Sequence, residues 1–348
     1  MAIKSYELPK VDILNGGGGV TNFLVNRGME TAQLPASLLP QILTADKLLM
    51  PDGVTSIDRR LQQIGSGNLI DNADFSINQR GVTSWTSGYG LDRYRCGGLT
   101  AHAIDQGVRL VSSSTTYSNF FQIIDRSVKD DDVVTLSALT KGNNGFRLVI
   151  GRAHDSSIKA VDIPASDDWE LTSVTATLSN LSKLIAKIDH PAAVAGDEII
   201  IHRWKLEPGP FQTLAHREGN TWVLNDPHPN YALELLKCQR YFYAANAIGN
   251  SIAYFGQGTT NNTNTLVEIE VQIPNMRSYP AVSYRGSFYL ESENGEKLPV
   301  TGISVFRSGV VSPILLGVKT SGTLTKGKLY RLLANDDSNA RIIFDSNL

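Results

Sequence analysis

The sequence predicts an all-β chain: two tandem antiparallel β-sandwich, jelly-roll-like domains, one short amphipathic helix between them, and an extended or short-helical N-terminal segment. Three observations predict it. Short apolar runs alternate with polar residues at period two through most of the chain after Asn68, which buries one face of each strand and wets the other. Clusters of Gly, Asn, Asp and Ser break these runs, as tight turns between antiparallel strands require. Only Asn225–Ala244 carries a convincing helical spacing. The chain then divides into an N-terminal segment 1–66, a jelly-roll domain 67–210, a linker 211–230, and a second sandwich 231–348 opened by the helix.

A length of 348 residues calls for two or three domains. Lys and Arg number 32 against 34 Asp and Glu, for a net charge of -2, so no basic footprint for nucleic acid is expected. No apolar run is long enough to span a membrane, and MAIKSYELPK lacks an apolar signal-peptide core, so a soluble protein folded in a cytoplasm is expected. Cys96 and Cys238 are far apart in sequence and are expected to be reduced, buried thiols.

In the first segment, Asn15–Gly19 (NGGGG) is too costly in backbone entropy for a regular element and suits a flexible joint or a close contact. Leu34–Leu49 is broken by Pro35 and Pro40. Val54, Ile57, Leu61 and Ile64 then repeat at spacings of three, four and three, ending at Gly65. So short a helix is marginal alone, and its seam needs partners, either on its own chain or as a coiled-coil register between copies.

From Asn68 the strands begin. Val108 and Leu110, Phe121 and Ile123, Val134 with Leu136 and Ala138, and Ile200 with His202, Trp204 and Leu206 each share a strand face. About eight such strands make a jelly roll. Trp169 and Trp204 lie in strands and are expected in the core.

In the helix, Pro227 and Pro229 suit the start, Tyr231, Leu235, Cys238 and Phe242 share an apolar face, and Glu234 and Lys237 form an i,i+3 ion pair. Beyond it Val267, Ile269, Val271 and Ile273 share one strand face, and further strands are predicted at 281–284, 287–290, 302–306, 314–318, 329–334 and 340–345. Asn294-Gly295 and Lys326-Gly327 mark turns, and the polar stretch Gly256–Thr265 is expected to be an exposed loop.

No catalytic pattern emerges. The six histidines have no metal spacing, no nucleophile elbow or phosphate loop is present, and the acidic clusters Asp130–Asp132 and Asp167-Asp168 read as solvated turns. A glycosidase needs two carboxyls on facing walls of a cleft, which adjacent acids do not supply. No enzyme activity and no cofactor are expected, with a structural Ca²⁺ at an acidic turn the one metal to consider.

Three stretches in order resemble tail-fibre proteins of tailed bacteriophages. These are LELLKCQRYFYA within the helix region, VQIPNMRSYPAVSY at Val271–Tyr284 with its P-x-MR-x-x-P-x-V pattern, and the terminal ARIIFDSNL. In the middle domain NLIDNADFSINQRG, FFQIID, VVTLSALTKG, DDWELTSVTATL and GDEIIIHRWKLEPGP resemble the strands of jelly-roll carbohydrate-binding modules. The resemblance implies a receptor-binding protein of the virion tail. It would be a homotrimer, docked on other tail or baseplate proteins through residues 1–66 and bound to host surface polysaccharide through its sandwiches. Val54, Ile57, Leu61 and Ile64 would be the trimer seam. The alternative is a purely structural baseplate or tail-tip component.

Sugar rings stack on flat aromatics while Asp and Arg hold their hydroxyls, so Trp85, Tyr89, Asp92 and Arg93 in SWTSGYGLDRYRCGG have suitable chemistry. Against this, Asp92-Arg93-Tyr94 resembles an Asp-Arg-Trp turn shared by fibres of unlike specificity, which implies a structural role. The polar loop at 256–265 and the turn at Asn294 are further candidate receptor contacts. Adhesion predicts that Trp85→Ala or Tyr89→Ala abolishes cell binding without melting the fold.

Overall fold

The computed structural model describes strands at 13–14, 22–27 and 30–34, and the chain from 67 to 347 apart from 114–116, 126–127, 144, 154–155, 248–250, 262–264 and 308–312. The candidate seam Val54, Ile57, Leu61 and Ile64 lies outside the described residues. Two compact units result, 1–67 and 68–348.

In the first unit, β1 (Ile13–Leu14), β2 (Asn22–Arg27) and β3 (Glu30–Leu34) form a three-stranded antiparallel sheet, with Arg27 opposite Glu30 at the β2–β3 connection. The residue pattern of 1–66, expected to be extended or short-helical, does not predict these strands.

Among the described residues the second unit is all-β with one short helix, as predicted, and opens with a ten-stranded antiparallel sheet system. Its strands are β4 (Ser84–Tyr89), β5 (Arg95–Ile104), β6 (Gly107–Ser112), β7 (Ser118–Ile124), β8 (Val133–Gly142), β9 (Arg147–Ala153), β10 (Ser156–Asp162), β11 (Ser166–Thr177), β12 (Leu184–His190) and β13 (Glu198–Pro208). β4 covers one edge of β5, and the other edge is divided: Arg95–Gly97 pair with β7, Leu99–Ile104 with β6. The sheet forks there into two layers, β7-β12-β9-β10 and β6-β13-β8-β11. Gly98 sits at the fork with φ +72, where a Cβ would lie 2.9 Å from the Tyr117 carbonyl oxygen. Between the layers Phe75, Tyr94, Phe120 and Trp204 pack with ring centroids 4.9–6.2 Å apart. Trp204 Nε1 donates to the Tyr94 hydroxyl at 2.9 Å, which donates to the Asn72 carbonyl at 2.8 Å, so the fully buried polar ends are satisfied.

Residues 211–230, read as a linker, hold a hairpin of β14 (Ala215–Glu218) and β15 (Thr221–Leu224). It lies on the outer face of the second layer, where Leu214 and Ala215 pack on Leu139, with Trp169 and Trp222 half-buried beside them. Beneath this segment the Lys205 ammonium, 1% exposed, is held by Asp226 at 2.7 Å and Thr213 at 2.8 Å.

The helix α1 spans only Tyr231–Gln239. Asn230, not a proline, caps it, its side chain accepting from the Ala232 and Leu233 N–H groups. The predicted apolar face is also redistributed. Tyr231 is 59% exposed, whereas Glu234 turns inward to accept the Asn72 backbone N–H at 2.9 Å while pairing with Lys237. Phe242 belongs to the next element, β16 (Phe242–Asn246), because it gains a ladder with the chain's last strand that helix continuation would forgo.

The rest of the unit comprises β17 (Tyr254–Thr260), β18 (Val267–Val271), β19 (Ala281–Arg285), β20 (Phe288–Ser292), β21 (Lys297–Arg307), β22 (Ile314–Thr320), β23 (Leu329–Ala334) and β24 (Arg341–Asp345). Six of these close a barrel in the order β17-β18-β22-β21-β20-β23, and β16-β24-β19 form a small sheet against it. Val267, Ile269 and Val271 point into the barrel as their alternation predicts. Gly256–Thr260, predicted as loop, are strand instead. A Cβ on Gly258 would overlap the Glu268 carbonyl, so the glycines there permit close approach of β17 to β18.

Cys96 and Cys238 are free and buried. Burial pushes the Cys96 thiol up to about 12 and the Cys238 thiol higher still. A thiol assay at pH 8 is therefore expected to find no reactive sulfhydryl in the native chain and both in denaturant. Prompt native reaction of either would show that its cover opens.

Candidate functional site

The segment carrying the four sequence candidates runs from β4 through a tight turn into β5. Tyr94 N–H bonds to the Leu91 carbonyl at 3.0 Å, and Arg93 adopts a left-handed φ of +76. That turn folds three of the four candidates inward. Trp85 is 7% exposed, against Phe120 and the backbone at Gly90, where a Cβ would overlap its ring. Asp92 is fully buried and accepts two bonds from Gln79, from the backbone N–H at 2.6 Å and from Nε2 at 2.8 Å. Arg93 pairs with Asp71 at 3.2 Å, donates to the Ile123 carbonyl at 2.6 Å, and lies 3.3 Å over the Tyr241 ring. Trp85, Asp92 and Arg93 are thus corrected from sugar contacts to structural residues, because each is already satisfied or covered by groups far away in sequence. Tyr89 alone reaches a surface groove.

Asp92 and Arg93 help join the jelly roll to the barrel body. Gln79, held by Asp92, passes a bond to the Phe242 carbonyl at 2.9 Å. Tyr241, beneath Arg93, donates to Asp125 at 3.2 Å, and Arg277 bonds the same carboxylate at 2.5 Å. Burial works against the Asp125 charge, but Arg277 overrides it and holds the carboxyl below its ordinary value.

Burial pushes the Asp92 carboxyl up to about 6, against the opposing pull of the two Gln79 bonds. A carboxyl whose folded pKa exceeds its unfolded value of 3.8 stabilises the fold fully below that value and loses the contribution as pH rises through about 6. The wild-type urea midpoint should fall over this window, and Asp92→Asn should flatten the slope. Equal slopes in the two proteins would place the titration elsewhere.

The groove that Tyr89 enters has a volume of about 690 Å³ and runs along the outer face of the small sheet. Arg80, Tyr89, Phe242, Arg285, Arg341 and Asp345 line it, together with Ser283, Ile343 and Asn347. Arg80 is pinned 3.8 Å over the Phe242 ring and 3.0 Å from Asp345, and its carbonyl accepts from Arg341 at 3.4 Å. The sequence does not show the arginines as a pair because β19 and β24 meet only in the fold; Val271–Tyr284 and the terminal ARIIFDSNL carry no local sign of being neighbours. A second groove, of about 540 Å³, is lined by Tyr243, Tyr254, Gln257, Glu270 and Gln272 beside β17.

The remaining candidates are turns. Asp130 accepts the Leu181 N–H at 3.0 Å and Asp132 the Lys129 N–H at 3.0 Å, so both cap backbone. Gly295, with φ +77, bonds back to Ser292 in a tight turn.

No protein-family model matches the chain, and no curated protein matches it. Among solved structures, it is similar to an arabinose-bound α-L-arabinofuranosidase (15% identity, 41% of this chain and 27% of that one, TM-score 0.32). Others are the enzymatically active domain of bacteriophage CBA120 tailspike protein 4 (13%, 40% and 21%, 0.28) and the CBM22-1 xylan-binding domain of Paenibacillus barcinonensis Xyn10C (11%, 41% and 95%, 0.29). The chain spans about a quarter of the first of these and a fifth of the second. At these TM-scores the likenesses do not bear on what the chain binds.

Proposed function

We propose that this chain is a tail-fibre or tail-tip receptor-binding protein of a tailed bacteriophage, which attaches the virion to its host through a surface glycan and catalyses no reaction. The observation that carries the reading is the groove on the small sheet. Tyr89 and Ile343 offer apolar surface to a sugar ring, and Ser283, Asn347 and the arginines offer partners to its hydroxyls. The resemblance of 233–244, 271–284 and the terminal strand to fibre proteins supports the phage setting, and the first and last of these stretches build the wall of that groove through β16 and β24. As a homotrimer docked through residues 1–66, the chain would present several weak sites at high effective concentration, so that avidity replaces a deep pocket.

The test is staining of bacterial strains with the fluorescently labelled full chain, each strain paired with a mutant lacking surface polysaccharide. Saturable staining lost in the mutant is expected. One feature favours the structural alternative, the exposed Tyr231, Leu233 and Leu236 of α1 at 58–59%, which a neighbouring tail protein would cover. Absence of staining on every strain, with cross-linking to tail proteins, would replace adhesion by that role.

A further inference from the structure

We propose that the groove selects an acidic sugar, the carboxylate of a uronic-acid-type residue lying between Arg285 and Arg341. This rests on the adhesin reading and names its ligand class. In the β19–β24 ladder Arg285 is directly opposite Arg341, and their neighbours two positions along, Ser283 with Ile343, share the same face of the sheet. Like charges directly opposite across a ladder repel and destabilise the pair. Among the described residues neither guanidinium is in an ion pair. The one carboxylate lining the groove, Asp345, is engaged by Arg80 at 3.0 Å. Three guanidinium groups therefore face one carboxylate in a chain whose overall net charge is -2.

The arrangement is also held in place. Arg341 is tied to the Arg80 carbonyl at 3.4 Å, and Arg80 is fixed by Phe242 and Asp345, so one arm of the pair is ordered before any ligand arrives. Arg285 is exposed and free to close on the anion. Planar guanidinium groups bind carboxylates through paired N–H donors, which gives geometric selection as well as charge. Asp345 decides between acids. It lies four residues from Arg341, beyond Ile343 on the same strand face, where its charge disfavours a dianionic phosphate more than a monoanionic carboxylate, and it can accept from a sugar hydroxyl. Tyr89 is then placed for the ring of the same sugar.

Saturation-transfer NMR on the full chain with glucuronate, glucose and glucose 6-phosphate tests this. Glucuronate is expected to bind with Kd on the order of 1 mM, as a single shallow site allows. Glucose should bind at least 10-fold more weakly, glucose 6-phosphate no tighter than glucuronate, and the glucuronate signal should fall at least 10-fold in the Arg285→Gln/Arg341→Gln variant. The variant's melting temperature, expected to be unchanged or raised once the repulsion is removed, separates lost binding from lost fold; if the double variant unfolds, Arg285→Gln alone, at an exposed position, gives the same readout. Equal binding of glucose and glucuronate, tighter binding of the phosphate, or full glucuronate binding by the folded variant would each overturn the proposal. Cell staining without glucuronate binding would sink this inference and leave the adhesin standing. Glucuronate binding that depends on both arginines, without staining of any strain, would do the reverse.

Discussion

Arg93→Ala is expected to lower the unfolding free energy by about 3–5 kcal/mol, the usual cost of stranding one member of a buried ion pair. The side chains of Arg93 and Asp71 are 3% and 6% exposed, so the substitution leaves a carboxylate with little access to water. It also removes the bond to the Ile123 carbonyl and the stack on Tyr241 at 3.3 Å. Because Tyr241 belongs to the chain after α1 and Asp71 to the jelly roll, the loss falls on the junction between the two bodies. Urea denaturation should therefore show the barrel body unfolding earlier than the jelly roll in the variant, with a single transition expected for the wild type. Arg93→Lys should recover only part of the loss, since an ammonium keeps the charge but not the planar stack. In the double variant Asp71→Ala/Arg93→Ala the combined cost should fall well short of the sum of the singles, because each single strands the other's charge. A single-variant cost below about 1 kcal/mol would mean that water reaches the pair, and the junction would then rest on Asp125 and Arg277 instead.

The strands of both bodies were legible because their period is local. VVTLSAL, LVEIEV and ARIIF announce their buried faces without reference to the rest of the chain. The errors share one physical origin, a partner far away in sequence. YFYAA continues the helical spacing of the preceding residues, yet it pairs with the last strand, and a ladder of backbone bonds outweighs the spacing. GQGTT looks like loop because glycine has poor strand propensity, but β17 needs glycine where β18 approaches. The hairpin at 215–224 was hidden because its apolar residues cover a second face of a sheet already accounted for by its first. The candidate site suffered most. Trp85, Asp92 and Arg93 have ligand-binding chemistry; the resemblance of Asp92-Arg93-Tyr94 to a shared turn implies a structural role, but nothing within SWTSGYGLDRYRCGG reveals that Gln79, Asp71 and Tyr241 already engage Asp92 and Arg93, or that Phe120 covers Trp85. The arginine pair could have been found only by aligning the strand 281–285 against the C-terminus, a register that no local pattern contains.

The second large effect is at Trp85, and it reverses what the sequence alone led us to expect. Trp85→Ala should cost about 3–5 kcal/mol, as truncation of a core tryptophan does. The ring fills the space between Phe120 and the Gly90 backbone, and a cavity there cannot collapse easily because β4 is tied to β5 on both sides of it. Tyr89→Ala, four residues on and half-buried in the groove wall, should cost about 1 kcal/mol or less and leave the melting curve near wild type. Binding should divide the other way. At a temperature where Trp85→Ala is still folded, its staining per folded molecule should match wild type, whereas Tyr89→Ala should lose the stacking surface and stain weakly. The comparison needs thermal denaturation and cell staining on the same preparations. A stable Trp85→Ala chain that no longer stained would return the indole to the binding surface and remove the groove from consideration, since a ring packed under Gly90 has no route to a ligand while that turn keeps its shape.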